Sequence, residues 1–462
     1  MFESSSDTIA AISTKPGEAA IGIVKISGEK SIEIADRIFI SEKNRKISDM
    51  NTYNMVYGSI IDNKENVVDA VIVTLMKKPK SYTREDVVEI NCHGGLIATE
   101  KVLELCLENG ARIAEPGEFT KRAFLNGRID LSQAEAVIEI VKSKTEESLK
   151  IAARNIKGET RTEIEKLRKI IMDVMVELEA SIDFIEEDLE ITPYSELEKK
   201  VNSICEDIAT LIKDEEKGEI IKNGVKIAIV GKTNVGKSSL LNILSKKEKA
   251  IVTALPGTTR DAVEEVLYLE GIPLILVDTA GIRKAKNMIE KIGVKKSLGH
   301  ISEAEIVIFV LDGNRKVENE DKEIMEKIKE KETITCINKI DLEQKIERDI
   351  INKRLGRRKI IEISALIGTG ISKLEKEIKR TVLGDINYNI ENKIIVNARH
   401  KKILKEVKRI LENSKKAMKE KMSEEFPSSD LKNAYDLLGE ILGEKTGEEL
   451  LDNIFSKFCI GK

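Results

Sequence analysis

Apolar residues follow two different spacings along this chain, and the change of spacing divides the sequence into segments. Up to about residue 120, short apolar runs such as residues 21–26 and 71–73 have the length of strands. Residues 99–107 between such runs have helical spacing, and glycine and proline separate the runs from one another. This first segment is therefore predicted to be mixed α/β.

From Leu131 onwards the apolar spacing becomes helical, with Glu and Lys on the opposite positions. The longest apolar stripe comprises Ile164, Leu167, Ile171, Val174, Leu178, Ile182 and Ile185. Helical spacing returns near the C-terminus, where Thr446 and Glu449 predict a capping box at the start of the last helix. These segments are predicted to be all-α, with solvated charged faces.

Between the helical segments, strand-length apolar runs alternate with polar, helix-like stretches. The runs lie at residues 225–230, 274–277, 306–311 and 333–337. This alternation is typical of a mostly parallel, doubly wound sheet. The simplest organisation is an α/β domain inserted into one discontinuous helical domain, although two separate helical domains fit the pattern as well. The predicted division is 1–121, 122–223, 224–383 and 384–462.

Composition narrows the class of protein. Of the 462 residues, 34% are charged with a net charge of −4, and 41% are hydrophobic. This balance excludes a uniformly basic nucleic-acid coat and a highly charged disordered chain. No apolar run approaches the roughly 20 residues that span a bilayer, and the N-terminus is polar. Five cysteines without a CxxC pair favour reduced thiols, so we expect a cytoplasmic protein without a membrane span.

Residues 231–238 match the phosphate-loop pattern GxxxxGK[ST], and they lie between a predicted strand and a predicted helix. Such a loop surrounds phosphates with backbone N–H groups at a helix N-terminus. Lys237 is expected to reach the β and γ phosphates of a nucleotide, and the Ser238 hydroxyl is expected to bind Mg²⁺. The sequence context is the one that a nucleotide-binding phosphate loop requires.

Further short segments arrive in the order found in GTPases. Asp278 follows the run 274–277, where it can hold Mg²⁺ through water, and Asp341 carries a carboxylate that can accept two hydrogen bonds from guanine. Each segment alone is a weak signal, but together they indicate a GTPase. The residues expected to line the nucleotide are Asn234, Val235, Gly236, Lys237, Ser238, Ser239, Thr253, Ala254, Leu255, Pro256, Gly257, Thr258, Thr259, Asp278, Thr279, Ala280, Gly281, Asn338, Lys339, Asp341, Ser364, Ala365 and Leu366.

Two positions concern hydrolysis. Thr259 is predicted to close over Mg²⁺ when the γ-phosphate is present. Ile282 occupies the position at which Ras-like proteins have a glutamine that orients the attacking water, so another group must do this or hydrolysis is negligible. Glu290 is the candidate for that role on spacing alone.

The chain resembles the MnmE (TrmE) tRNA-modification GTPases over essentially its whole length. The resemblance rests on segments 115–128, 231–239, 256–261 and 278–283, and above all on the C-terminal Phe-Cys-Ile-Gly-Lys at 458–462. It implies an N-terminal α/β folate-binding-like domain, a discontinuous helical domain and an inserted Ras-like G domain. It also implies activation by K⁺, which Asn234, Thr253, Leu255 and Thr258 would bind, and it matches Glu290 to the glutamate that orients water.

The same resemblance implies a homodimer and a site for 5-formyl- or 5,10-methylene-tetrahydrofolate. The matching positions are Lys25, Glu89, Arg128 and Lys462, where cations suit the glutamate tail of folate and a carboxylate suits the pterin N–H edge. Cys459 lies in the C-terminal motif. It is either a catalytic nucleophile that attacks the uridine ring or a small buried residue that shapes the pocket.

The reaction that the resemblance implies is installation of a carboxymethylaminomethyl or aminomethyl group on C5 of the wobble uridine of certain tRNAs. The partner would be the flavoprotein MnmG (GidA), which brings FAD and NADH into a heterotetramer. Two other functions remain open on the residues: a ribosome-assembly switch without folate affinity, and a slow signalling GTPase that is indifferent to K⁺.

Overall fold

The computed structural model describes residues 7–43, 45–183, 193–247, 265–269, 271–277, 301–356, 358–384, 393–423 and 425–462. The chain forms two compact units. The first contains Met1–Val141, Arg154–Cys205 and Ile403–Lys462, and the second contains Lys142–Ala153 and Glu206–Lys402. Each unit combines helices with one sheet, so the predicted combination of α/β and all-α structure is confirmed.

The sheet of the first unit has the strand order β3-β4-β5-β6-β2-β1-β7. Its strands are β1 (Ile9–Ile12), β2 (Ala19–Ser27), β3 (Phe39–Ser41), β4 (Asn54–Ile61), β5 (Val67–Met76), β6 (Val87–Gly94) and β7 (Arg112–Ile113). Neighbours are antiparallel except β1 and β7, which are parallel. The predicted strands at 21–26 and 71–73 lie within β2 and β5, as expected.

One face of this sheet is covered by helices, and the opposite face carries both polar side chains and exposed apolar ones such as Ile21 and Ile72. The helices are α1 (Ser31–Ile38), α2 (Leu96–Glu108) and α3 (Glu118–Leu125), with a short 3-10 helix at Ile47–Asp49. Val24 and Ile26 of β2 are fully buried on the core side with Val102 of α2. Because side chains alternate along a strand, Lys25 lies on the other face, in register with Glu89 of β6.

Helices make up the rest of the first unit. They include α4 (Leu131–Lys142), α6 (Glu159–Asp183), α13 (Glu425–Leu442) and α14 (Glu448–Phe455), while α5 (Glu146–Ile156), α7 (Tyr194–Asn223) and α12 (Ala398–Lys419) belong to both units. In the predicted stripe, the five residues from Ile164 to Leu178 are fully buried, and α6 packs against α13. Ile185 and the side chain of Ile182 lie outside the described residues. Within the described part of the chain, no helix is long and apolar enough to cross a membrane.

The predicted capping box at Thr446 is wrong. The last helix begins at Glu448 with Gly447 as its N-cap, and no side chain in the described part of the chain caps it. The Thr446 hydroxyl is instead buried and forms no hydrogen bond with the described residues. Gly447 adopts the extended backbone that an N-cap requires. The helix therefore starts one residue later than the Thr446–Glu449 spacing demands.

The sheet of the second unit has the order β13-β12-β11-β8-β10-β9. Its elements are β8 (Val225–Val230), α8 (Lys237–Lys247), β9 (Glu265–Leu269), β10 (Ile272–Leu276), β11 (Ile306–Asp312), α9 (Asn319–Ile328), β12 (Glu332–Asn338), α10 (Arg348–Leu355), β13 (Ile360–Glu362) and α11 (Ile371–Leu383). Only the β9–β10 pair is antiparallel, so the predicted mostly parallel sheet is confirmed.

Parallel strands buried on both faces place their functional residues at one edge. The apolar side chains of β11 pack alternately into two clusters, with Ile308 and Val310 in one and Val307 and Phe309 in the other. The carboxyl ends of β8, β11 and β12 therefore meet at the same edge of the sheet, where ligands of such folds bind. The phosphate loop follows β8, and Asn338 ends β12.

Candidate functional site

The phosphate loop between β8 and α8 has a backbone that requires glycine at two positions. Gly231 and Gly236 have φ values of +151° and +100°. A Cβ at Gly231 would lie 2.3 Å from the Val310 carbonyl oxygen, and one at Gly236 would lie 2.1 Å from Nδ2 of Asn338. Helix α8 begins at Lys237, so the loop leads directly into a helix N-terminus. This geometry provides backbone N–H groups and a positive helix end for an anion.

The Lys237 ammonium group contacts only neutral oxygens in the described part of the chain. Its Nζ donates to the carbonyls of Gly231 at 2.8 Å and Lys232 at 2.6 Å. Partial burial lowers the pKa of Lys237, because removal from water penalises the ammonium ion and no carboxylate among the described residues compensates it. An anion beside Lys237 would relieve this penalty. The loop therefore fits a polyphosphate, with Ser238 as the hydroxyl next to it that suits Mg²⁺.

Asn338 connects the phosphate loop to the predicted base-binding loop. Its Nδ2 donates to the Val235 carbonyl at 2.8 Å, and its Oδ1 accepts from the Ala365 backbone N–H at 2.9 Å. Asn338 is 2% exposed. Buried hydrogen bonds of this kind fix relative positions, because either backbone group left unpaired would cost free energy. The structure thus brings together three of the predicted nucleotide-binding segments.

The remaining base-loop residues surround this connection. Lys339 has a left-handed φ of +65°, and its Nζ lies 2.6 Å from Oδ2 of the buried Asp312. Asp341 and Leu366 are exposed, whereas Ser364 is fully buried and its backbone N–H donates to the Thr369 carbonyl. Exposed groups next to a rigid buried anchor are suited to contact a ligand.

Several predicted residues lie outside the described residues. They are Thr253, Ala254, Leu255, Pro256, Gly257, Thr258 and Thr259 of the switch loop, Asp278, Thr279, Ala280 and Gly281, and Glu290. Their predicted roles in binding Mg²⁺, K⁺ and water stay predictions.

A second cluster lies on the face of the first unit's sheet that is opposite its helices. Lys25 Nζ is 3.6 Å from Oε1 of Glu89, and it lies 5.9 Å and 5.3 Å from the ring centroids of Tyr82 and Phe119. Burial lowers the pKa of Lys25, Lys462 lowers it further through charge repulsion, and Glu89 opposes both. The predicted positions Lys25, Glu89 and Lys462 are therefore close enough to interact.

Arg128 completes this cluster, and the C-terminal segment is anchored beside it. The Arg128 guanidinium lies 5.1 Å from the Tyr82 ring centroid. The backbone N–H of Phe119 donates to the Lys462 carbonyl at 3.1 Å, and the Ser13 hydroxyl donates to the Gly461 carbonyl at 3.2 Å. Lys25 and Arg128 thus lie over the Tyr82 ring, Glu89 and Lys462 lie close to Lys25, and residues 461 and 462 are fixed to Ser13 and to the start of α3.

The cysteines differ in exposure. Cys459 is exposed, so its side chain is not the buried pocket residue that one prediction required. Burial raises the pKa of Cys92 to about 11, and of Cys106 and Cys336 to about 12. Only Cys459, among the cysteines of the chain, is accessible to a reagent from solution.

Sequence reasoning missed two residues of these sites. Tyr82 lies in a loop without a motif, and no sequence signal identifies it. Asp312 directly follows the apolar run 306–311, and a carboxylate at the end of a parallel strand is a signal that could have identified it.

Comparison with known proteins identifies the family. Among solved structures, Era in complex with MgGDPNP and nucleotides 1506–1542 of 16S ribosomal RNA is 31% identical, covering 34% of this chain and 56% of that chain with a TM-score of 0.27. The model of the TrmE N-terminus, described as a GTP-binding protein, matches residues 8–128, and the model of the MnmE helical domain matches residues 131–459.

Full-length relatives agree with these matches. The tRNA modification GTPase MnmE of Clostridioides difficile (strain 630) is 47% identical over 456 residues, which cover 99% of both chains. The protein of the same name from Thermoanaerobacter pseudethanolicus (strain ATCC 33223 / 39E) is 48% identical over 458 residues, again 99% of both chains. Two family models match successive parts of the chain, and these relatives are similar to it over their whole length. The chain therefore belongs to the MnmE family of tRNA modification GTPases.

Proposed function

We propose that this GTPase is activated by K⁺ and acts with a flavin-dependent partner, MnmG (GidA). Together they add a carboxymethylaminomethyl or aminomethyl group to C5 of the wobble uridine of certain tRNAs, and the carbon comes from a tetrahydrofolate. The family supports GTP and Mg²⁺ as ligands. The observation that supports the nucleotide part of the proposal is the partly buried Lys237 ammonium, which faces only neutral carbonyls in the described phosphate loop, and the folate, K⁺ and partner assignments rest on the family.

Guanine recognition is assigned to the loop that follows β12. Asp341 is exposed three residues after Asn338, which holds the phosphate loop and Ala365. A carboxylate there accepts hydrogen bonds from N1–H and the 2-amino group of guanine, whereas adenine has no such pair of donors. Lys339, fixed by Asp312, covers the base from its left-handed position.

K⁺ is assigned to Asn234 together with Thr253, Leu255 and Thr258. Asn234 is exposed, with a φ of +61°, so its side-chain oxygen projects from the phosphate loop rather than into the core. K⁺ held by these residues would supply positive charge that offsets the charge developing during phosphoryl transfer, the role of an arginine finger in other GTPases. Ras-like proteins have a water-orienting glutamine at the position of Ile282. In this chain Glu290 orients the attacking water instead.

Folate is assigned to the cluster around Tyr82. Glu89 suits the N–H edge of a pterin, an aromatic ring suits stacking, and Lys25, Arg128 and Lys462 suit carboxylates. The C-terminal segment brings Cys459 near this cluster, because the Cys459 carbonyl accepts a hydrogen bond from Gly117 N–H at 3.4 Å. The exposed thiol is therefore the proposed nucleophile toward the uridine ring.

The K⁺ dependence of hydrolysis is tested by measuring GTP turnover of the purified full-length chain in K⁺ and in Na⁺ at equal ionic strength. We expect faster hydrolysis in K⁺, and we expect Asn234→Ala to lose that difference. The matched control is Asn242→Ala, since Asn242 is an exposed asparagine on the neighbouring α8. Equal wild-type turnover in the two salts would refute the K⁺ assignment.

A further inference from the structure

The segment that joins β5 to β6, residues 77–86, is a basic loop. It carries four cations within eight positions, which are Lys77, Lys78, Lys80 and Arg84. The last three are exposed, and none of them forms an ion pair with a described residue. Because the whole chain has a net charge of −4, this loop is a local reversal of the charge of the protein.

The two carboxylates of the basic loop do not cancel these cations. Glu85 accepts a hydrogen bond from the Ser27 hydroxyl at 2.7 Å and lies 3.3 Å from the buried guanidinium of Arg122. Asp86 Oδ1 accepts the backbone N–H of Lys78 at 2.8 Å. With Glu85 paired to Arg122, four cations remain against one carboxylate, so the loop keeps an excess of positive charge.

An exposed aromatic ring lies beside the start of the basic loop. Tyr53 is 62% exposed and has a left-handed φ of +63°. Its backbone N–H donates to the Leu75 carbonyl at 2.7 Å, and the neighbouring Thr52 hydroxyl accepts the backbone N–H of Lys77 at 3.0 Å. An aromatic residue held exposed in a backbone region that few L residues adopt indicates a role for its ring.

The far end of the basic loop is attached to the end of α3. Arg84 Nη1 donates to the Asn126 carbonyl at 2.9 Å, and Asn126 Nδ2 donates to the Thr83 carbonyl at 2.7 Å. Arg128 Nη1 donates to the Ser81 carbonyl. These hydrogen bonds fix the position of the basic loop, so its cations are presented on an ordered surface.

Exposed cations next to an exposed aromatic ring match the chemistry of RNA. Its phosphates pair with Lys and Arg side chains, and its unpaired bases stack on aromatic rings. An acidic protein surface would match the cations alone. We propose that Lys78, Lys80 and Arg84 bind backbone phosphates of the tRNA substrate and that Tyr53 stacks on an unpaired base. This inference rests on the proposed function in tRNA modification.

The phosphate contacts are tested by filter binding of a tRNA transcript with uridine at the wobble position to the full-length chain, at several salt concentrations. Lys78→Gln/Lys80→Gln should lower the affinity at least about tenfold at about 0.1 M salt. It should also reduce the slope of log affinity against log salt by about 1.5, because each lost phosphate contact removes about 0.7–0.9. The matched control is Lys157→Gln/Lys432→Gln, which changes two exposed lysines elsewhere in the first unit and should keep the wild-type affinity and slope.

The base contact is tested with Tyr53→Ala. This variant should bind the tRNA transcript about fivefold or more weakly, because a stacking partner is lost. Its salt slope should equal that of the wild type, because no phosphate contact changes. Tyr53→Phe keeps the ring and should keep the wild-type affinity. Circular dichroism and an unchanged GTP affinity establish that each variant is folded.

The outcomes separate this inference from the function beneath it. Wild-type affinity and slope in Lys78→Gln/Lys80→Gln overturn the phosphate contacts, and wild-type affinity in Tyr53→Ala overturns the base contact. Both results leave tRNA modification standing, since nucleoside analysis of cells that lack the chain tests it separately. A wild type that binds no tRNA also overturns the inference. If the double lysine variant keeps its tRNA affinity but loses binding to vesicles that contain phosphatidylglycerol, the basic loop contacts lipid and the inference is wrong.

Discussion

Asn338 is the side chain on which the geometry of the nucleotide site depends most. Asn338→Ala removes its hydrogen bonds to the Val235 carbonyl and the Ala365 N–H. Each is worth about 1 kcal/mol net, and the backbone groups left unpaired at a position that is 2% exposed add to this. The arrangement of loops that binds GTP therefore loses about 2–4 kcal/mol of free energy. If GTP binding must restore this arrangement, the GTP dissociation constant rises about 30- to 1,000-fold.

The assay is equilibrium titration of the full-length chain with a fluorescent GTP analogue in Mg²⁺, with circular dichroism to establish folding. Asn338→Asp keeps the acceptor but places a carboxylate oxygen against the Val235 carbonyl at a buried position, so it should weaken GTP binding at least as much as Asn338→Ala. The control is Ser414→Ala, which loses a buried hydrogen bond to the Pro427 carbonyl in the first unit and should leave GTP affinity unchanged. A folded Asn338→Ala protein with wild-type affinity would refute the reasoning.

Three further predictions follow from the same contacts. Burial lowers the pKa of Lys237 from 10.5, and a bound polyphosphate opposes that shift, so GTP binding should take up protons and weaken as pH rises above the lowered pKa of the free protein. Calorimetry in buffers of different ionisation heat measures the proton uptake, and Lys237→Arg should lose the share that Lys237 contributes. Gly236→Ala places a Cβ 2.1 Å from Asn338 Nδ2, so filter-binding assays should show GTP affinity lost while thermal unfolding shows the chain still folded; wild-type affinity would contradict this. An alkylating reagent at pH 8 should label only Cys459, which mass spectrometry can locate, because the other four cysteines are buried and about one in a thousand or fewer of the Cys92, Cys106 and Cys336 thiols are ionised. Rapid labelling of Cys459→Ser would contradict this prediction.

The sheet of the second unit and its phosphate loop were predictable because their signals are local. An apolar run such as 225–230 is long enough for a buried strand, and glycines at fixed spacing lead into a helix. Both are properties of consecutive residues, and the structure has β8 at those bounds. The mostly parallel order follows from the alternation of strands and helices.

The contacts that build the sites were not predictable in this way, because they join residues far apart in sequence. Asn338 bonds to Val235 across 103 positions, and no spacing rule shows that one amide serves both loops. Tyr82 approaches Lys25 and Arg128 only once β2, β6 and α3 are in place. The predicted capping box at Thr446 was wrong although its signal is local. The spacing of Thr446 and Glu449 matches the pattern, but α14 begins at Glu448 with Gly447 as its N-cap.

The central claim is that this chain modifies the wobble uridine of tRNA, and the most direct test is nucleoside analysis of bulk tRNA from cells that lack it. The account predicts loss of the 5-substituted uridine, with recovery from the intact gene and none from a copy truncated before Cys459, because the last residues are anchored to the folate cluster. Unchanged tRNA nucleosides in the cells that lack the chain would contradict the account, and they would show that this GTPase acts on a different substrate.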